Sequence, residues 1–285
     1  MHRQIEKILV IGAGTMGQQI TAQILKHHFE VVLHDISPKS IEEAERNIQS
    51  FLSEDKHYDK FILTTELKEA VKGIDLVIES IPEKLNLKRK LFKTFNELCA
   101  EKVIFTTNTS DLLPSKLARS TGRKELFCAY HFHAPLYGAN IVDIMPHAQT
   151  SSETILKLED FTKKINLIPI ILKKEHPAYI YNAILNSIMD TSIKLVIKGI
   201  ADYKEIDKAW IGNTGMKIGP FGMLDFIGLD TARQISKNRA KKNPLMLFGV
   251  AYFNKYIKQG KVGIKTGEGF YKYPNPEYLN ENFLK

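Results

Sequence analysis

Short apolar runs alternate with amphipathic stretches through the first 176 residues. Runs at 7–12, 30–35, 61–64, 75–79, 102–106 and 126–132 predict strands, and helical spacing falls at about 15–28, 38–54, 66–72, 86–100 and 112–119. Such alternation predicts parallel βαβ units wound on both faces of one sheet. Two more extended runs, 140–145 and 168–172, flank a helical pattern at 152–165. The style changes at His176-Pro177. From Ala178 to Gly199 the residues Ile180, Ile184, Ile188, Ile193 and Ile197 sit near helical spacing, and the glycine suits a C-cap. Helical patterns follow at about 203–211, 221–237 and 244–258, with no convincing strand between them. The expected organisation is an α/β doubly wound sheet over 1–176 and an all-helical C-terminal domain over 177–285.

The first strand leads straight into Gly12-Ala13-Gly14-Thr15-Met16-Gly17, and Asp35 closes the second strand. This is a dinucleotide-binding fingerprint in its required strand–helix–strand context. Gly12 permits the tight turn, Gly14 lets the backbone approach a pyrophosphate, and Gly17 lets the helix pack on the sheet. The helix opened at Thr15 and Met16 aims its amides and positive dipole end at that pyrophosphate. Asp35 accepts hydrogen bonds from the two ribose hydroxyls and repels a 2′-phosphate, so the expected cofactor is NAD rather than NADP.

Hydride transfer from an alcohol also needs a general base beside the nicotinamide. Ligands of open α/β sheets lie beyond the carboxyl ends of the strands, so polar residues there are the candidates. One strand ends in Thr106-Thr107-Asn108-Thr109-Ser110. Asn108 and Ser110 are placed to meet the nicotinamide ribose and the substrate oxygen, whereas a purely structural reading has Ser110 or Asp111 capping the helical run from Leu112. Another strand ends in His131-Phe132-His133, where a histidine can take an alcohol proton near neutral pH. If that strand pairs with the next run, Asp143 holds the imidazole in the correct tautomer. The alternative is a charged residue on a solvated strand edge. A metal site from His131, His133, Asp143 and His147 is conceivable, since His-x-His places two rings on one strand face. Nicotinamide chemistry needs no metal, and none is expected.

Composition narrows the classes. Hydrophobic and charged fractions of 44% and 25% are those of a globular protein, and no apolar run approaches membrane-spanning length. The first strand starts so early that no signal or transit peptide is expected, and the two cysteines, Cys99 and Cys128, read as reduced buried thiols of a cytoplasmic protein. The net charge of +8 comes from scattered lysines, Lys84, Lys88 and Lys90 among them, rather than a block with interleaved aromatics. Nucleic-acid and membrane partners are not expected; a mildly positive surface suits a polyanionic nucleotide or coenzyme A thioester.

The chain resembles the NAD-dependent 3-hydroxyacyl-CoA dehydrogenases, including 3-hydroxybutyryl-CoA dehydrogenases. The likeness rests on the glycine fingerprint, Asn108-Thr109-Ser110, His131, Asp143, Pro177 with Asn182, Gly219-Pro220-Phe221 through Asp225, Gly228-Leu229-Asp230, and Lys265-Thr266-Gly267-Glu268-Gly269-Phe270-Tyr271. It implies a Rossmann-type domain joined to a helical domain that forms a homodimer, an active site in the cleft between the domains, and a place in fatty acid metabolism. It implies His131 as general base, Asp143 as its partner, Ser110 and Asn182 as substrate-positioning residues, and Glu83 and Asn108 beside the cofactor. The expected reaction interconverts a short-chain 3-hydroxyacyl-CoA and its 3-oxo form.

This chain departs from the family pattern around the same cleft. Ala134 stands where Asn is usual, Asp143 where Glu is, Ala178-Tyr179 where Gly-Phe follows the proline, and Ala183 where Arg is common; Lys84 and Asn86 also differ near the cofactor. These changes keep two other readings open: a dehydrogenase of a small non-CoA 3-hydroxy acid or carnitine-like alcohol, and an NAD-binding relative with weakened turnover.

Overall fold

Eight strands form one sheet in the order β3-β2-β1-β4-β5-β6-β7-β8. The computed structural model describes residues 4–52, 60–136, 138, 140–241, 244 and 247–285. The strands are β1 (Lys7–Ile11), β2 (Glu30–His34), β3 (Phe61–Thr64), β4 (Leu76–Glu79), β5 (Ile104–Thr107), β6 (Phe127–Phe132), β7 (Ile141–Pro146) and β8 (Ile168–Ile171). The helices among them are α1 (Thr15–Lys26), α2 (Pro38–Phe51), α3 (Leu67–Ala70), α4 (Leu85–Leu98), α5 (Ser115–Ala118) and α6 (Ser152–Lys164). All neighbours pair in parallel except β6 and β7, which run antiparallel with His131 directly opposite Asp143.

The apolar strand runs have a packing cause. Ile8 and Val10 point into a core with Ile20, Ile24, Ala44, Ile48, Leu158 and Phe161, from α1, α2 and α6. Leu9 and Ile11 point the other way, into a core with Ala70, Phe92, Phe95 and Leu117, from α3, α4 and α5. Both faces of the sheet are therefore covered, which is what a parallel sheet requires. Burying a ring such as Phe92 or Phe95 is worth about 1.5–3 kcal/mol. Caps set the helix starts: the Ser37 hydroxyl accepts from the Ser40 amide with Pro38 in the first turn of α2, and the Ser151 hydroxyl accepts from the Thr154 amide at α6.

The second unit spans Tyr181–Lys285, and the first runs to Ile180. Residues 177–180 pack with the first unit: Tyr179 is buried there, and its hydroxyl donates to the Thr109 carbonyl at 2.5 Å. Ala178 and Tyr179 both take positive φ, 65° and 55°, so helix cannot begin until Tyr181. The helices are α7 (Tyr181–Ile197), α8 (Tyr203–Thr214), α9 (Pro220–Ile227), α10 (Leu229–Ala240) and α11 (Leu247–Ile257). The Gly199 and Ile200 amides close onto the Val196 and Leu195 carbonyls, with Gly199 in the left-handed region at φ +67°. The single helix expected over 221–237 is two, broken at Gly228, whose φ of +92° helix does not allow. Two other expected helices are shorter: 66–72 reduces to α3 and 112–119 to α5. Residues 53–54 and 245–246 of the expected helices lie outside the described residues.

Two buried carboxylates organise the helical unit. Asp225 accepts from the Phe270 and Tyr271 amides at 2.8 Å each and from the Tyr273 hydroxyl at 3.1 Å. A Cβ at Gly269 would lie 2.0 Å from Asp225 Oδ1, which accounts for the glycine in Gly267-Glu268-Gly269. Asp207 accepts from the Phe221 and Gly222 amides at the start of α9 and from the Tyr271 hydroxyl.

Candidate active site

At the carboxyl ends of the parallel strands, each glycine of the fingerprint answers a separate demand. Gly12 has φ +98°, and a Cβ there would meet the Ser80 carbonyl oxygen at 2.6 Å. A Cβ on Gly17 would lie 1.8 Å from the Gly12 carbonyl oxygen, so α1 can rest on the loop only without a side chain. At Gly14 the space is open: nothing among the described residues comes within 4 Å of where a Cβ would be. Gly14 is also the N-cap of α1, and no side chain caps it. The first amides of the helix, from Thr15 through Gly17, are thus left for an anion that approaches over the exposed Gly14 and Thr15. Met16 packs half-buried against the core below.

Asp35 lies one residue past β2. Its Oδ2 accepts from the Ala13 amide and its Oδ1 from the Ser37 amide, both at 2.9 Å. Each oxygen keeps a lone pair, and the residue is only half-buried, so both can still accept from ribose hydroxyls. An open face over Gly14, free helix amides and a carboxylate at the neighbouring strand end fit a dinucleotide without a 2′-phosphate.

A charge network lies between that loop and the next strands. Glu79 ends β4 fully buried and accepts from Lys88 Nζ at 2.6 Å, from the Thr107 hydroxyl at 2.6 Å and from the Ile81 amide at 2.8 Å. Burial pushes its carboxyl upward, and Lys88, Thr107 and the Ile81 amide pull against that shift. Lys88 is only 1% exposed, so it is not one of the scattered surface lysines. It also reaches Glu83 Oε2 at 3.2 Å. Glu83 Oε1 takes the Thr109 hydroxyl, and the Leu112 amide donates to Thr109 Oγ1 at 2.9 Å. Thr109, not Ser110 or Asp111, therefore closes this turn. Ser110 stays exposed beside it. The Asn108 amide is engaged at both ends: Oδ1 accepts from the Phe132 amide at 2.8 Å and Nδ2 donates to Ser80 Oγ at 3.2 Å. Asn108 thus continues the β5–β6 ladder by one bond and ties it to the loop after β4.

The antiparallel register puts His131 and Asp143 side by side, both nearly buried. His131 Nδ1 lies 3.4 Å from Asp143 Oδ2, a long contact, while His133 Nε2 lies 2.8 Å from the same oxygen. An ionised carboxylate only accepts, so the proton on His131 belongs on Nδ1 and its Nε2 carries the lone pair. Tyr179 stacks on the His131 ring at 4.5 Å between centroids and 13° between planes. Burial, above all, holds His131 below its ordinary pKa; Asp143 and Glu83 pull upward and His133 downward. Burial pushes the Asp143 carboxyl up, but the two imidazoles outweigh it and hold it below the usual carboxylate range. The result is a neutral ring oriented by an anion, the state a general base requires.

His131, His133 and Asp143 present ligand atoms within 4.8 Å of one another. His147 is not among them; its ring is bonded to the Lys124 carbonyl and the Gln149 amide. Asn182 lies half-buried in the first turn of α7, in the other unit. Three side-chain roles were not expected from the sequence, those of His133 toward Asp143, of Tyr179 and of Lys88. The bond of His133 to Asp143 depends on side-chain reach, which strand period alone does not give. The stacking of Tyr179 depends on the left-handed turn before it. Lys88 was signalled by nothing more than a charged strand end nine residues upstream.

A family model described as "3-hydroxyacyl-CoA dehydrogenase, NAD binding domain" matches residues 7–176, and one described as "3-hydroxyacyl-CoA dehydrogenase, C-terminal domain" matches residues 179–273. The mitochondrial hydroxyacyl-coenzyme A dehydrogenase of Sus scrofa is 34% identical, over 94% of this chain and 91% of that one. Among solved structures, a diketoreductase acting on dicarbonyl compounds superposes with a TM-score of 0.89 at 35% identity, covering 95% of this chain and all of the other. An (S)-3-hydroxybutyryl-CoA dehydrogenase from Ralstonia eutropha gives 0.84 at 28% identity, with the same coverage. With its sheet, its fingerprint loop and its second, helical unit all accounted for, the chain belongs to the 3-hydroxyacyl-CoA dehydrogenase family of NAD-dependent oxidoreductases.

Proposed function

We propose that the protein oxidises a short-chain 3-hydroxyacyl-CoA to its 3-oxo form, and the reverse, with His131 as general base. The observation that carries this reading is the cross-strand pair of His131 and Asp143 at the same end of the sheet as the glycine loop. β1 and β6 are three strand spacings apart, about 14 Å. An extended dinucleotide anchored over Gly12, Gly14, Thr15, Met16 and Gly17, with its ribose at Asp35, covers that stretch past Glu83 and Asn108. NAD, when bound, supplies the hydride acceptor. His131 Nε2 takes the hydroxyl proton, and Asp143 stabilises the imidazolium that results. Asn108 positions the end of β6 through its bond to the Phe132 amide, and Ser110, exposed in the same loop, offers a hydroxyl to the substrate oxygen. Asn182 is the substrate-positioning residue of the helical unit. Exposed apolar residues on that unit, Ile184, Ile200 and Phe226 among them, support a homodimer.

A second reading has its own support in the likeness to the diketoreductase: a small dicarbonyl or 3-hydroxy acid without CoA takes the place of the thioester. An absorbance assay at 340 nm with NADH separates the two, using a short 3-oxoacyl-CoA and the matching free 3-oxo acid. Preference for the thioester in kcat/KM upholds the first reading, and preference for the free compound upholds the second. His131→Asn is expected to lower kcat by about two to four decades with NADH affinity unchanged. Retained turnover in that variant removes His131 from the role of base.

A further inference from the structure

Asp143 has two imidazole neighbours where a base pair needs one. Both rings meet the same oxygen, and the three ligand atoms lie within 4.8 Å of one another. In a tetrahedral site with ligand bonds of about 2.0–2.2 Å, neighbouring ligand atoms stand about 3.4 Å apart. The His131 Nδ1 to Asp143 Oδ2 separation is already 3.4 Å, and the His133 to Asp143 edge of 2.8 Å needs only a slight opening. The edge between the two rings, within 4.8 Å, closes by a side-chain rotation of His133, which stands one residue past the end of β6. Two of the three donors are rigidly placed: His131 and Asp143 are register partners in the sheet, and Tyr179 fixes the plane of the His131 ring. All three side chains are at most 10% exposed.

We propose that His131, His133 and Asp143 form a site for a divalent transition metal, Zn²⁺ in the first instance, with a fourth position open to water. Two imidazoles and one carboxylate suit Zn²⁺ and its first-row neighbours; Mg²⁺ and Ca²⁺ favour oxygen-only sets and are not taken. The consequence for turnover follows from the tautomer, and it rests on the reading of His131 as base. A metal on His131 Nδ1 displaces the proton from that nitrogen, and the neutral ring then carries its proton on Nε2. The nitrogen that accepts the alcohol proton has no lone pair left. The site is therefore inhibitory, and it is reversed by a chelator.

The test binds metal to the full-length protein and reads binding apart from activity. Calorimetry with Zn²⁺ is expected to give one site per chain, and Co²⁺ to give the visible absorption of a four-coordinate site. His133→Phe and His133→Gln, each checked for folding by its melt, are expected to weaken binding by more than about 100-fold, beyond the 10–100-fold loss that follows removal of a mere outer partner. His147→Ala, outside the cluster, is expected to leave affinity unchanged. Zn²⁺ is expected to lower turnover about 100-fold or more, EDTA to restore it, and Mg²⁺ to do nothing. Absence of stoichiometric binding, or binding unaffected in both His133 variants, overturns the proposal. Stoichiometric, His133-dependent binding that leaves turnover intact upholds the site and removes His131 from the role of base.

Discussion

A methyl group added at two positions three residues apart in the glycine loop is expected to have opposite consequences. At Gly17 the new Cβ would sit 1.8 Å from the Gly12 carbonyl oxygen, whereas real Cβ contacts stay beyond 3.0 Å. The start of α1 must retreat by more than about 1 Å, away from Val10 beneath it, at an overpacking cost of about 1–3 kcal/mol. The amides of Thr15 through Gly17 move with it, so Gly17→Ala is expected to lose both thermal stability and NADH affinity. At Gly14 the φ of −72° suits alanine, and the added Cβ meets nothing among the described residues. Gly14→Ala should therefore keep the melting temperature, or raise it slightly through a stiffer unfolded chain, by about 0.4–1 kcal/mol. It nonetheless puts a methyl where the pyrophosphate backbone approach occurs, and NADH affinity is expected to fall more than about tenfold, or 1.4 kcal/mol. Thermal melts and calorimetric titration with NADH measure both quantities on both variants. Parent-like NADH affinity in Gly14→Ala would refute the placement of the pyrophosphate, and a parent-like melt in Gly17→Ala would refute the packing argument.

The buried ion pair and the buried carboxylate of the helical unit give two further tests. Lys88→Met leaves Glu79 uncompensated in a fully buried position and is expected to cost about 3–5 kcal/mol in urea unfolding, with partial recovery when Glu79→Gln is added; a loss below 1 kcal/mol would show that the pair is not ionised. Burial raises the Asp207 carboxyl from 3.8 to about 6 against the hydrogen bonds it accepts. The folded chain therefore binds more protons than the unfolded one between those values, so stability from this group rises as pH falls through 6 and is lost above it. The gain between pH 7 and pH 5 is about 1 kcal/mol, and Asp207→Asn is expected to lack it; equal pH slopes in parent and variant would remove Asp207 as the cause.

Features fixed by steric exclusion were legible in the sequence. Gly17 has to be glycine because a backbone oxygen occupies the place of its side chain, and no other residue can carry that requirement. The pairing of His131 with Asp143 was legible as a condition, since two extended runs joined by a short connection pair antiparallel. Features set by side-chain reach were not. Ser110, Asp111 and Thr109 are all competent to close a turn, and only the position of Glu83 selects Thr109. Lys88 looks in sequence like the lysines around it, and only the burial of Glu79 distinguishes it. The break at Gly228 was hidden because the apolar periodicity carries on through it, while the backbone turns at φ +92°.

The antiparallel register separates what can vary in this protein from what cannot. The spacing of His131 and Asp143 is set by ladder bonds between β6 and β7, not by residues 134–140, which lie between His133 and the start of β7. Insertions or deletions confined to that connection leave the pair in place. A slip of the ladder by a single residue turns Asp143 to the opposite face of the sheet, with no half-functional intermediate. Over evolutionary time, or in a directed library, the connection is accordingly the place to change length and composition in search of new substrates. The two strands on either side admit almost no such drift, so new specificities can be sampled there while the proton-transfer apparatus stays intact.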